Sequence, residues 1–419
     1  MLKANKKKVI FLDKLFIMSY LLFCISIPTS NFLSHLAAGI GLIALILSLI
    51  LKNFIYPTIK PFLFLSLPQI VSKVFFSIKA SFDIDIRVIP YFVVYRAFQN
   101  KTKFKLGIKL LFITTTLLCL SVIFEAITWI NIKDLFSNFE LIKNISFHKD
   151  IIRAKGFFTH PLTTAGVLYV LFVIFSFFYI RGKQKIYIFI IFLLIISIFL
   201  TGSRSYYLAL LIYFLFFFIF LKFFKLKYMK VKKIFLFIFT FFIFFFLIKI
   251  PFIKQRIKSI FSFEKNLRRL LIWKSYKKAF LNDFSRKDKL FGKGEDVSKI
   301  VLNYFPESYI ELYHKKIDMS IADQKFFSRV THNIYIYYLS RYGFFGLVGY
   351  LLFWIFFIAI NIKFYKNTKE VFPLIFIFGY LGFLIAGFFE NNFLDAEVKF
   401  ALMFLFSLNV LSLRRDFPI

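Results

Sequence analysis

Acidic residues and cysteine are both scarce in this chain. Its 419 residues hold 21 Asp+Glu against 56 Lys+Arg, and charged residues make up only 18% of the total. A soluble domain averages about 25% charged and about 45–50% apolar residues. Here the apolar share is 60%, so the chain departs in the membrane direction on both counts. That excludes a disordered tail and an ordinary cytosolic enzyme. The two cysteines, Cys24 and Cys119, lie inside apolar runs, which excludes a disulfide-stapled secreted scaffold. Metal-binding patterns are missing as well: there is no His-Glu-x-x-His and no cysteine cluster. The single acidic turn from Glu390 to Glu397 is poor evidence for a divalent cation, so no metal is expected. Neither a Walker A loop nor a dinucleotide fingerprint is present, so no nucleotide cofactor is expected. The absence of internal repeats argues against an inverted-repeat transporter.

What the chain has is apolar length. Crossing a bilayer takes roughly 20 mostly apolar residues as helix. Clear runs cover 16–27, 33–51, 106–130, 162–180, 186–200, 206–221, 234–250, 334–360, 371–389 and 400–413, and two weaker ones cover 61–77 and 88–98. Phe supplies 68 residues, a bias that an A+T-rich genome would also produce, so no single Phe is informative.

Lysine and arginine then set the phase. Short cytoplasmic loops collect them. Basic groups occur at Lys3 to Lys14, Lys52/Lys60, Lys101/Lys103/Lys105, Arg181/Lys183/Lys185, 222–233, Lys363/Lys366/Lys369 and Arg414/Arg415. With twelve spans all of them fall on one side, and both termini are cytoplasmic. The predicted fold is therefore an all-α integral membrane protein. Residues 1–250 supply spans 1–9, 251–331 form a large non-cytoplasmic loop, and 332–419 supply spans 10–12. The net charge of +35 is largely topological and is no sign of nucleic-acid binding. The first span has a basic start like a signal peptide. A second span follows at once without a convincing cleavage site, so the pair reads as a retained hairpin. In the long loop, Leu267, Leu270, Leu271, Lys274 and Lys278 sit at helical spacing, which predicts an amphipathic helix at the membrane surface.

Residues able to carry chemistry fall on the non-cytoplasmic face. Arg204, in Thr201-Gly202-Ser203-Arg204-Ser205, sits between two apolar runs, where a guanidinium is costly unless paired or wet. Two readings fit it: a bidentate grip on phosphate, or an interfacial arginine snorkelling to headgroups. Arg269 and Trp273 form an i, i+4 pair, which also suits a plain surface helix. Gly292 and Gly294 read as a turn. His332 opens a span and is a candidate general base; with Asn333 it also reads as a helix cap. Arg153 and His160-Pro161 precede another span, where Pro is comfortable in the first turn, and His160 reads as structural first and site-lining second. Without ATP, an activated lipid-borne donor is the more natural energy source.

These clusters, in this order, resemble the O-antigen ligase / Wzy-type O-antigen polymerase superfamily of bacterial envelope glycan enzymes. The resemblance covers most of 153–397. It is carried by Gly156-Phe-Phe-x-His160-Pro161, Thr-Gly-Ser203-Arg204, Arg269-x-x-x-Trp273 with Gly292 and Gly294, and His332-Asn333 leading to Tyr342-Gly343-x-x-Gly346. It implies a GT-C-like, metal-independent, inverting membrane glycosyltransferase of the bacterial inner membrane. Its donor is a glycan on undecaprenyl pyrophosphate, and its acceptor is a hydroxyl on lipid A-core or another glycan. Carried onto this chain, Arg204 and Arg269 bind the donor pyrophosphate, His332 activates the acceptor, and Arg204 stabilises the leaving group. Arg153, His160, Ser203, Trp273, Asn333 and Tyr335 line the site. The partners so implied are the lipid-linked donor, the glycan acceptor and membrane lipids. The ligase branch is favoured by the His332-Asn333 start after a long loop, with polymerase and protein-glycosylating branches as alternatives. A lipid-linked oligosaccharide flippase, the contrasting class, needs charges at mid-span around a central cavity and no large external loop.

Reporter fusions test the topology: a fusion near Lys230 should report cytoplasmic and one near Phe291 non-cytoplasmic, and the reverse at either position overturns the twelve-span reading.

Overall fold

The computed structural model describes residues 2–53, 56–76, 85–131, 153–182, 184–223, 254, 258, 263–314, 320, 324, 331–414 and 417. The expected span at 234–250, most of the basic group at 222–233, Lys183, Arg415 and parts of the loops at 131–160 and 251–331 lie outside them. Among the described residues all regular structure is helical. In chain order the helices are α1 (Leu2–Ser26), α2 (Asn31–Ile50), α3 (Lys60–Phe76), α4 (Ile89–Ala97), α5 (Lys101–Thr128), α6 (Pro161–Gly182), α7 (Ile186–Leu200) and α8 (Arg204–Phe223). There follow α9 (Phe263–Asn282), α10 (Arg286–Phe291), α11 (Val297–Tyr313), α12 (Ile334–Thr368), α13 (Phe372–Ala386) and α14 (Ala396–Ser412).

Among the described residues five stretches are long and apolar enough to cross a bilayer: Val9–Ser26, α2, α5, α6 and α12. Three shorter apolar helices accompany them: Ile186–Leu200, Arg204–Ile219 and Phe372–Ala386. The two weak runs are helical, yet α4 has 9 residues and at 1.5 Å per residue reaches only about 14 Å, about half of a hydrocarbon core. The multi-pass, all-helical class therefore stands, while the count of twelve rests on the charge phase alone.

Contacts between the ends of these helices give that phase a structural counterpart. Arg96 pairs with Asp13 at 2.9 Å, Arg414 stacks over Tyr95 and Phe98, and Arg181 lies over Phe372 and Phe417. With Phe104 of α5 against Phe98 and Phe417, the starts of α5 and α13, the ends of α4, α6 and α14 and Asp13 of α1 thus meet at one end of the bundle. α5 runs from that end to Glu125, whose partners belong to the loop before α6.

Packing follows composition. α1 and α2 meet through small residues: Ala37, Ala38, Gly41 and Ala44 are buried, and Ser19 Oγ donates to the Ala37 carbonyl at 2.7 Å. Such residues let helix backbones approach where lipid removes the hydrophobic drive for association. α6 is buried along most of its length and α14 almost throughout, so these two form the centre. Asn361 and Asn409 exchange two amide hydrogen bonds of 2.9 Å there, and Tyr380 donates to Asn409 at 3.0 Å. Polar groups at that depth need such partners, because no water replaces them.

The helices of the long loop form a unit with its own core. Leu271, Ile272, Tyr276 and Ala279 of α9 are buried with Val301, Phe305 and Tyr309 of α11. Lys274 and Lys278 pair with Glu311 at 2.6 and 2.5 Å. The amphipathic helix predicted at the membrane surface exists, but protein takes its apolar face. α12 is broken at Gly343 (φ 68°, ψ −167°), so the single expected span is two segments joined by a kink. The end of α10 nests in that kink. A Cβ on Gly343 would lie 2.3 Å from the Leu290 carbonyl, and one on Gly292 would lie 2.2 Å from the Arg341 carbonyl oxygen. Lys293 N donates to Ser340 O at 3.1 Å, and Ser72 of α3 donates to Phe291 O at 2.8 Å. The two glycines, read from sequence as a plain turn and a family motif, are one interlocked joint.

Gly343→Ala should therefore lower stability by at least about 2 kcal/mol, since it adds a clash to a backbone geometry that only glycine tolerates. Gly39→Ala, where nothing lies within 4 Å of the new Cβ, should be neutral or stabilising. Thermal unfolding in detergent measures both, and equal effects would remove the joint from the fold's energetics.

Candidate active site

At the end of the bundle where α5 finishes and α6 begins, cationic side chains gather around one carboxylate. Glu390 follows α13 and is 4% exposed. Its Oε1 accepts from Arg269 Nη2 at 2.6 Å, and its Oε2 stands 3.8 Å from His332 Nδ1. It also acts electrostatically on Arg153, His160 and Arg204. Arg153, Arg204 and Arg269 are close enough to act on one another. Residues from five separate stretches, including all three that sequence placed at the chemical centre, are thus brought to one place. Three guanidiniums against one carboxylate leave the cluster with a positive excess suited to a polyanion.

Each member is held by local structure. Arg204 is the first residue of α8, directly after the Thr201-Gly202-Ser203 turn in which Gly202 takes φ 66°. Ser203 is buried, and its hydroxyl pairs with that of Ser205 at 3.1 Å, so it serves the turn. Arg269 is turned inward on α9 while its neighbour Arg268 is exposed. Trp273, one turn on, donates its indole N–H to the Thr331 carbonyl at 3.0 Å and so fastens α9 to the loop bearing His332. His332 takes a left-handed backbone, φ 47°. It is not the helix cap: Asn333 is, its side chain accepting from Tyr335 N and Ile336 N at 2.9 and 3.0 Å. Asn391, beside Glu390, accepts from Asn333 N at 2.9 Å and from the Thr331 hydroxyl at 2.8 Å. Tyr335 donates to the Leu384 carbonyl at 2.7 Å. Trp273, Asn333 and Tyr335 therefore hold the rim together through backbone contacts.

The loop before α6 is organised by Glu125. Its Oε2 accepts from Lys155 N at 2.8 Å, Gly156 N at 2.7 Å and Asn131 Nδ2 at 3.0 Å. Gly156 needs φ 58° to present that N–H. Arg153 is largely buried, with its Nε unpartnered, and burial holds its pKa below the ordinary guanidinium value, as does Arg269. His160 Nδ1 accepts from Leu162 N at 3.2 Å, so the neutral ring carries its proton on Nε2 and caps α6. Burial, with Arg153 beside it, lowers the His160 pKa, which favours that neutral form. Pro161 opens α6 as expected. Nearby, burial raises the Asp395 carboxyl to about 7, and Thr163 donates to it at 3.1 Å. Among the described residues no group of three His, Cys, Asp or Glu stands together to hold a metal ion.

Sequence reasoning passed over Glu125, and it weighed the turn holding Glu390 and Asn391 only as a poor metal site. Glu390 carried one usable signal, being the acid that ends the apolar run 371–389, but nothing in the sequence pairs it with Arg269, 121 positions away.

Residues 189–351 match the model of the family described as O-Antigen ligase, so that stretch of the chain is similar to the family. The match contains Arg204, Arg269, Trp273, the Gly292–Gly343 joint and His332, while Arg153, His160 and Glu390 lie outside it. No curated protein matches the chain.

The Glu125 cradle makes a direct prediction. Glu125→Gln keeps one carbonyl oxygen able to accept from Lys155 and Gly156, so glycan transfer should fall less than about tenfold. Glu125→Leu leaves two buried amides unpaired, at about 1–3 kcal/mol each, and should displace Arg153 and His160. Transfer assayed in membranes with matched protein levels distinguishes the two, and equal activities would show that the cradle positions nothing.

Proposed function

We propose, from the O-antigen ligase domain at 189–351 and the arginine cluster it shares with Glu390, that this protein transfers a glycan from undecaprenyl pyrophosphate to an acceptor hydroxyl. In this reading the chain sits in the bacterial inner membrane with twelve spans and both termini cytoplasmic. The 251–331 loop is periplasmic and roofs the site, and the architecture is GT-C-like. Lipid A-core is the acceptor we favour, which makes the enzyme an O-antigen ligase. The observation that carries the reading is the convergence of Arg204, Arg269 and His332 on one buried carboxylate.

The chemistry follows from the charges. Arg204 and Arg269 grip the donor pyrophosphate and stabilise the negative charge that develops as the sugar C1–O bond breaks. Arg153 adds a third cation. Two or three fixed guanidiniums do the work a divalent cation does elsewhere, so no metal is needed. The acceptor oxygen attacks C1 from the opposite face, forms the new glycosidic bond and inverts the anomeric centre. Its proton passes to His332 Nε2, since Nδ1 is the nitrogen that faces Glu390. Glu390 stabilises the imidazolium so formed and keeps Arg269 in place before the donor arrives. Removing one partner of a buried ion pair commonly costs about 3–5 kcal/mol, which assigns Glu390 a structural task as well as a chemical one.

Substitutions separate the roles. Arg204→Lys keeps the charge and loses the planar fork, so it should fail nearly as badly as Arg204→Ala, by on the order of a hundredfold or more. His332→Asn preserves the left-handed backbone, which Asn tolerates, and leaves Asn333 to cap α12. It should abolish transfer while donor binding stays within a few fold. Full transfer by His332→Asn at normal membrane levels would remove His332 from the mechanism. Deletion of the gene followed by glycolipid gels identifies the branch: unligated lipid-linked polymer accords with a ligase, and a core bearing a single repeat with a polymerase.

A further inference from the structure

At the opposite end of α5 and α6 from the arginine cluster, a cavity of about 150 Å³ lies between helices. Three of its lining residues are cationic: Lys105 and Lys109 on α5, and Arg181 in the last turn of α6. Its other walls are mainly apolar and aromatic, with Ile108, Phe178 and Tyr187 among them. Among the described residues no carboxylate lines it. The acid that acts on Arg181 is Glu370, which lies outside the lining.

Three like charges facing one space repel one another. Lys105 and Lys109 are an i, i+4 pair of like charge, which destabilises a helix, and a third cation faces the same space. Arg181 is fixed from behind: its guanidinium lies 4.5 and 4.8 Å from the ring centres of Phe372 and Phe417, and it donates to the Ser412 carbonyl. The lysines by contrast are exposed and able to turn toward a ligand. Below them on α5, Ile113, Leu117 and Leu120 are exposed large apolar residues, joined by Phe189 on α7. A cationic pocket at the end of a helix, continued toward mid-membrane by an uncovered apolar track, has the chemistry of a phosphate headgroup with its acyl chains.

We propose that this cavity is a binding site for an anionic phospholipid in the leaflet opposite the candidate active site, with Lys105, Lys109 and Arg181 on its phosphate. The lipid joins the starts of α5 and α7 to the end of α6 and so braces the two helices whose far ends carry Glu125 and His160. This needs only that the chain spans a membrane, and it is independent of which glycan is transferred.

The test uses the purified full-length chain in nanodiscs of phosphatidylcholine, with phosphatidylglycerol added. Phosphatidylglycerol should raise Tm by about 3 °C or more at saturation, and further phosphatidylcholine should not. K105Q/K109Q should lose that shift, and K363Q/K366Q, which removes two lysines elsewhere, should keep it. Glutamine suits helix interiors as well as lysine, so the double variant should fold. Its Tm without added anionic lipid, within about 2 °C of the parent, checks this. Inorganic phosphate added to the same nanodiscs separates the sources: a full shift from phosphate alone means a free-anion site and overturns the lipid assignment. An undiminished phosphatidylglycerol shift in K105Q/K109Q, or no shift in the parent, overturns the site.

Discussion

The buried carboxylate of Glu390 is the constraint on which the site end of this protein depends. Three guanidiniums and two imidazoles surround it, and without it the cations would repel one another at a depth where water screens them poorly. Its pairing with Arg269 at 2.6 Å ties α9, a helix of the long loop, to the turn between α13 and α14. Asn391 next to it fixes the strained loop at His332. Net positive charge is left over, and a site with surplus fixed cations is set up for a ligand that carries more than one negative charge.

A second constraint is geometric. The kink at Gly343 admits the end of α10, and Gly292 admits the backbone of Arg341 in return. Neither close approach survives a Cβ. This joint holds the α9–α11 unit on the bundle, and through α9 it holds Arg269 and Trp273 over the cluster. Catalytic geometry in the proposed mechanism is therefore set partly by backbone contacts remote from any charged group. The unit's own core, from Leu271 to Tyr309, makes it a packed part of the protein and not a chain lying on lipid.

Much of this was legible in the linear sequence, for definite reasons. Apolar length marks spanning helices because backbone polar groups must be satisfied internally in lipid, and most helices fall close to the runs read from sequence. Arginines at the borders of apolar runs are expensive, so Arg204 stood out without any partner in view. Asn333 and Pro161 announced helix starts through local hydrogen-bond and φ preferences, which need no tertiary information.

Tertiary structure decided what depends on distant pairing. Whether Arg268 or Arg269 faces inward is a matter of helix rotation, set by the core of α9 against α11. That His332 is not the cap follows from Asn333 occupying that role. The apolar face of α9, assigned by pattern to the membrane, turned out to meet protein, because amphipathicity specifies that a face is buried and not what buries it. In sequence Glu390 counted only as part of an acidic turn and Glu125 not at all, since a lone carboxylate acquires its meaning from donors 121 and about 30 positions away. Sequence determined which segments can leave water and where charge may sit along them; the fold alone determined which charges meet, because that depends on helix rotation and on close backbone approaches that no local pattern encodes.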